Sequence, residues 1–148
     1  MFGRAISNRS QSILDKFDNA KSILVEDANG KQSVIQVVEG LGRREVKVSD
    51  LGKLQAVTGN EFSLVRGPNG ERVLIQGDPT QMMIPNKYVS NGWKWSGHSH
   101  PYSIEPSSSD RFVLQQFGQE QSVIKNARTG EAKSFTQFED WSNWLPGR

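Results

Sequence analysis

The chain contains no cysteine, which rules out disulfide bridges, a thiolate nucleophile and cysteine-ligated zinc together. It has only two histidines in 148 residues, so any imidazole chemistry rests on that pair. No apolar run is long enough to cross a bilayer, and no apolar central region follows Met1 and Phe2, so neither a membrane span nor a signal peptide is expected. The length excludes a TIM barrel, which needs about 250 residues, and favours a single domain. Eighteen Lys and Arg stand against sixteen Asp and Glu, and the basic residues are dispersed among the acidic ones without the clustered stripe of a nucleic-acid surface. The expectation is a soluble protein, cytoplasmic as synthesised or delivered as part of a larger one, with neither nucleic acid nor membrane as a partner.

The two histidines are His98 and His100, at the end of an aromatic-rich run from Gly92 to Gly97 that reads as a strand. In an extended strand residues i and i+2 project from the same face, so the two imidazoles leave together, as two ligands of one small ion must. Pro101 and Pro106 bracket a short loop. Ser107 and Asp110 then stand in an S-x-x-D relation ahead of Phe112, Val113, Leu114 and Phe117, whose spacing predicts a helix. Ser107 would be its N-cap and Asp110 its third residue, a variant of the capping box. The helix dipole also favours a carboxylate there, so Asp110 has a capping role open to it beside that of third ligand.

Catalytic zinc takes three protein ligands and keeps one position for water. Two imidazoles with one carboxylate suit zinc better than calcium or magnesium. The ion brings the pKa of a bound water down to about 7 and polarises a carbonyl, and a carboxylate must then move a proton to the leaving group. Glu105, in the loop, is either solvated or a fourth ligand that would close the site. Trp93 and Trp95 read as core or rim aromatics.

The remaining elements follow from periodicity and turn chemistry. Ser7 to Ala20 predicts an amphipathic helix on Ile13, Leu14 and Phe17. Lys21–Glu26 and Gln32–Glu39 predict a hairpin around Asn29-Gly30, with the return strand broken at Gly40. Ser49-Asp50 reads as the N-cap of a short helix through Leu51, Leu54 and Val57, closed by Gly59. Asn60–Arg66 and Glu71–Gln76 form a second hairpin, with Phe62 and Leu64 on one face and Glu61, Ser63 and Val65 on the other. Gln81–Ile84 reads as short and extended. Gln121–Lys125 and Ala132–Phe138 form a third hairpin, and Trp141, Trp144 and Leu145 are expected to pack onto the body. Three hairpins around a few helices predict an α/β (α+β) domain with a mixed sheet flanked by helices.

His98-Ser99-His100-Pro101 with Ser107-x-x-Asp110 resembles the metal motif of the JAB/JAMM (MPN-type) zinc metallopeptidases, and over about residues 55–137 the arrangement is similar to such domains at the C-termini of bacterial polymorphic toxins and in phage-associated proteins. The resemblance implies a JAB/MPN-like fold over residues 49–148 and leaves the first third unexplained; residues 1–48, a helix and a hairpin, are expected as an N-terminal extension or as part of the same domain. It implies His98, His100 and Asp110 as zinc ligands, Ser107 on the oxyanion side and Glu61 as general acid/base. The loop ahead of Ser107 is one residue shorter than in the commonest members, which bears on Ser107 more than on the histidines.

The activity so implied is hydrolysis of a peptide or isopeptide bond in a protein substrate, such as a ubiquitin-like tail bound as an added strand. A toxin or effector role would bring a cognate immunity protein. Two other readings stay open: an assembly or binding module of the same fold without catalysis, and a metal-dependent nuclease toxin.

Overall fold

In a computed structural model, which describes residues 6–26, 30–79, 83–89 and 92–138, the chain folds as an α+β domain around one seven-stranded mixed sheet. In chain order the elements are α1 (Asn8–Asp15), β1 (Lys21–Glu26), β2 (Gln32–Leu41), α2 (Val48–Thr58), β3 (Phe62–Arg66), β4 (Arg72–Gln76), β5 (Lys94–His100), α3 (Ser108–Gln116), β6 (Gln121–Asn126) and β7 (Ala132–Thr136). The sheet order is β1-β2-β4-β3-β5-β6-β7. All neighbours are antiparallel except β5 and β6, which α3 connects in parallel. The N-terminal hairpin thus belongs to the same sheet, through β2 against β4.

Alternation along β3 divides the core. Phe62 and Leu64 join Ile13, Leu51, Leu54 and Leu74 beneath α1 and α2, while Val65 joins Trp95, Leu114, Ile124 and Phe135 beneath α3. Both faces are covered, so Glu61 and Ser63, placed by the sequence on the polar face, are buried. In α3, Val113, Leu114 and Phe117 are buried as their spacing predicts, and Phe112 is half exposed.

Two element boundaries differ from expectation. β2 continues through Gly40 to Leu41, because an extra residue between Val38 and Leu41 is taken up as a bulge with Gly40 at φ 73°, a conformation that glycine adopts without strain. The N-cap of α2 is Lys47 in place of Ser49 or Asp50. Asp50 is the third helical residue, and its Oδ2 accepts the Lys47 N–H at 2.8 Å while Arg9 holds both carboxylate oxygens at 2.8 and 2.9 Å. Gly59 closes α2 in the left-handed region, as predicted. The turn at 27–29, Gln81 and Met82 of the segment Gln81–Ile84, and Trp141, Trp144 and Leu145 lie outside the described residues.

A second bulge decides what β5 presents. Leu64 faces Gly97 but Val65 faces Trp95, so Ser96 is an extra residue on β5. It moves Trp95 onto the face that also carries Ser63 and His98. The indole Nε1–H donates to Ser63 Oγ at 3.2 Å, and the ring stacks on the His98 imidazole at 4.6 Å. The bulge also takes Trp95 out of the ladder toward β6, which pairs only from His98 onward. The Gln119 side chain replaces the missing strand: its Oε1 accepts the Trp95 N–H at 2.8 Å and its Nε2 donates to the Trp95 carbonyl at 2.7 Å. A buried backbone group left without a partner costs about 1–3 kcal/mol. Gln119→Ala is therefore expected to lower stability by about that amount in urea unfolding, with a change in Trp95 fluorescence, whereas an exposed glutamine replaced by alanine elsewhere would cost almost nothing.

Candidate metal centre

The histidines lie at the carboxyl end of β5, where the strand is held from both sides. Ser63 of β3 faces His98, and β6 pairs His98 and His100 with Ile124 and Asn126. Beyond the loop, Ser107 caps α3: its Oγ accepts the Asp110 N–H at 3.0 Å, and its own N–H donates to Asp110 Oδ2 at 2.9 Å. The capping box read from the sequence is present, and it aims the Asp110 carboxylate back at the end of β5.

Three donors meet there. His98 Nε2 and His100 Nε2 are 3.0 Å apart, His98 Nε2 is 3.1 Å from Asp110 Oδ1, and His100 Nε2 is 3.0 Å from Asp110 Oδ2. All three residues are largely removed from solvent, His98 completely. They are the only group of His, Asp or Glu among the described residues arranged to hold a metal ion. Donor atoms of a four-coordinate ion bound at about 2.0–2.1 Å stand about 3.3 Å apart, close to these separations.

The donor chemistry also fits a cation. With both imidazoles donating to the carboxylate, two Nε2–H groups would crowd one space. With both in the other tautomer, two lone pairs and an anion would face one another. A cation turns that second arrangement into three ligand bonds. It needs Nδ1–H tautomers: His100 Nδ1 lies 3.4 Å from Ser103 Oγ, while the buried His98 Nδ1 has no hydrogen-bond partner among the described residues. Ligating histidines commonly anchor that second nitrogen, so His98 depends on stacking against Trp95 for its orientation.

Burial lowers the pKa of His98, overriding the Asp110 carboxylate beside it, so the imidazole is neutral and its lone pair available. Burial would raise the pKa of Asp110, but its hydrogen-bonding contacts with His100 and His98 and the Ser107 N–H hold the carboxyl far below its usual range. Asp110 is thus a carboxylate at any ordinary pH.

Glu61 sits just ahead of β3. Continuing the register that pairs Ser63 with His98 brings Glu61 level with His100 on the same face. Its side chain is buried, and its carboxyl is pushed up to about 8, first by desolvation and then by the negative charges of Asp110 and Asp78. It is a proton-holding group beside the donor triad. Ser107 is exposed, with Oγ engaged as a helix cap and its hydroxyl hydrogen free to donate. Glu105, the possible fourth ligand, is exposed and stands outside the triad.

β5 has a neighbour on each side, so a peptide has no free edge beside His98 on which to add as a strand; the sheet edges are β1 and β7. Sequence reasoning missed the Ser96 bulge and the Gln119 clamp, although a glycine inside a strand pattern, here Gly97, is a signal for such irregularity. No family model, curated protein or solved structure matches the chain.

The raised pKa of Glu61 has a thermodynamic consequence. Below pH about 4.5 the carboxyl is protonated in both folded and unfolded chains. As pH rises toward 8 the unfolded chain ionises first, and the folded state loses stability. In the absence of added metal, Glu61→Gln is expected to match the wild type at pH 4 and exceed it at pH 8 by about 4 kcal/mol. Urea unfolding at the two pH values checks this, and a difference independent of pH would contradict it.

Proposed function

We propose that the protein is a zinc-dependent hydrolase of peptide or isopeptide bonds. The observation that carries this reading is the meeting of His98, His100 and Asp110 within 3.0–3.1 Å, with a buried carboxyl of raised pKa, Glu61, on the adjoining strand. The resemblance to JAB/JAMM metallopeptidases assigns the same residues the same roles. A borderline ion with two imidazoles and one carboxylate suits zinc, and three protein ligands are the number that leaves a position for substrate or water.

When bound, the ion would supply a Lewis acid that activates water and polarises the scissile carbonyl. The chain's own groups do the rest. His98, His100 and Asp110 would hold the ion, their own geometry fixed by the sheet register and by the cap of α3. Glu61 takes the proton from the attacking water and returns it to the leaving amine; a carboxyl poised near neutral pH is suited to both transfers. Binding of a cation beside Asp110 offsets one of the charges that raise the Glu61 pKa, which favours the basic form when the site is loaded. Ser107 donates its hydroxyl hydrogen toward the developing oxyanion. The substrate reaches the site across the end of β5 and the loop 101–107, because the strand itself is enclosed.

Glu61→Gln separates this reading from a non-catalytic assembly module. The variant is expected to retain one zinc per chain by elemental analysis, as the wild type does, while hydrolysis of a panel of peptides and isopeptide-linked ubiquitin-like tails falls by about a hundredfold or more. Turnover that Glu61→Gln leaves unchanged would defeat the catalytic assignment, and a wild type that retains no zinc would defeat the metal site itself. Cleavage of nucleic acid that stops on His98→Ala, with no peptide cleaved, would favour the nuclease reading.

A further inference from the structure

The basic residues that look dispersed in the sequence are gathered by the fold. On the α2 face, Lys94, Arg66 and Arg72 stand directly opposite one another on β5, β3 and β4, and Leu41 of β2 continues the row, with Arg43 two residues beyond it. Facing like charges on neighbouring strands destabilise a sheet. They line a hollow of about 740 Å³ with Arg43 and with Lys47, the N-cap of α2. A second hollow of about 540 Å³ shares Arg43, Arg66, Arg72 and Lys94 with it. Among the described residues, Glu120 is the only acidic one lining either hollow.

Among the described residues, none of Arg43, Arg66, Arg72 and Lys94 is paired with a carboxylate. Arg72 donates Nη1–H to the Val46 carbonyl at 2.5 Å, yet its buried Nε has no hydrogen-bond partner. Its pKa is lowered, first by burial and then by the charges of Arg43 and Arg66. The nearby carboxylates are turned elsewhere: Glu45 accepts from Gly42 N–H and pairs with Lys16, and Glu71 accepts from Asn69 N–H. Uncompensated guanidinium groups placed together are stabilised by a multiply charged anion, and their planar forks match phosphate oxygens.

We propose that this cleft binds a compact phosphate-bearing anion of two or three phosphoryl groups, held by Arg43, Arg66, Arg72 and Lys94 in front of the N-terminus of α2. The row crosses four strands, about 14 Å at the usual strand spacing, which suits a short phosphate chain. Among the described residues no exposed aromatic lines the cleft to stack a base: Trp95 is 1% exposed, with its ring on the histidine face. The cleft lies on the sheet face opposite the histidines and at the other end of β5, so it is a site separate from the metal centre.

Titration of the isotope-labelled full chain with sodium tripolyphosphate at low ionic strength, followed by amide chemical shifts, tests the assignment. Saturable shifts are expected at residues 42–48, 66–72 and 92–96 but not at 98–110. Arg66→Gln and Lys94→Gln, both at exposed positions, should each weaken binding by about tenfold, and Arg66→Gln should raise the melting temperature of the ligand-free protein by relieving the facing charges. A short single-stranded oligonucleotide should bind no more tightly than tripolyphosphate. The proposal is overturned if millimolar tripolyphosphate shifts nothing in the cleft, or if both variants bind as the wild type does. It is equally overturned if the oligonucleotide binds more than about tenfold tighter through the same residues, which would make the cleft a strand-binding surface.

Discussion

Everything at the metal centre depends on one short stretch of sheet register. β5 is paired with β3 from Lys94 to His98 and with β6 from His98 to His100, so the two ladders overlap at His98 and fix the register that carries the imidazoles. A slip of one residue would turn both side chains to the α2 face, where Gly97 now lies so close to Val48 and the Val123 carbonyl that even a methyl group would be crowded. The third donor comes from a different kind of element, and a reciprocal cap fixes it. Ser107 and Asp110 exchange hydrogen bonds across the first turn of α3, so the interaction that starts the helix also aims the carboxylate. Capping and ligation, which compete as explanations of Asp110 in the sequence, are satisfied together: Oδ2 accepts the Ser107 N–H and also faces His100, while Oδ1 faces His98.

The bulge at Ser96 supports this arrangement from below. By shifting Trp95 onto the histidine face it places a large ring under His98, whose second nitrogen has no other anchor. The shift interrupts the ladder with β6, and Gln119 and Ser122 supply side-chain partners for the Trp95 backbone. An irregular strand is thus stabilised by polar side chains where a regular one would use its neighbour's backbone. Bulges recur beside functional sites for this reason: they re-aim one side chain without moving the rest of the strand.

Much of this was legible in the sequence because it follows from local rules. The three hairpins, the helix after Ser107 and the shared face of His98 and His100 come from periods of two and 3.6 and from turn residues, and the mixed α+β sheet follows from counting them. Burial of Glu61 was not legible, since alternation in β3 does not reveal that α3 covers its second face. The N-cap of α2 was misplaced because a lysine backbone served by Asp50 and Arg9 replaces the usual serine or aspartate side chain. The basic cleft was hidden for a plainer reason. Arg43, Arg66, Arg72 and Lys94 are separated by up to 51 residues in the chain, and only pairing across β2, β4, β3 and β5 brings the last three into one row with Arg43 just beyond its end.

The central claim is that the two imidazoles and the Asp110 carboxylate grip one ion that keeps a further coordination position. X-ray absorption at the zinc edge, on the full chain loaded with one equivalent of zinc and dialysed, tests it most directly. The account predicts a four-coordinate shell at about 2.0–2.1 Å containing two imidazole nitrogens and two oxygen donors, only one of them from protein. Loss of the zinc on dialysis, or a shell of oxygen atoms alone without imidazole scattering, would contradict it.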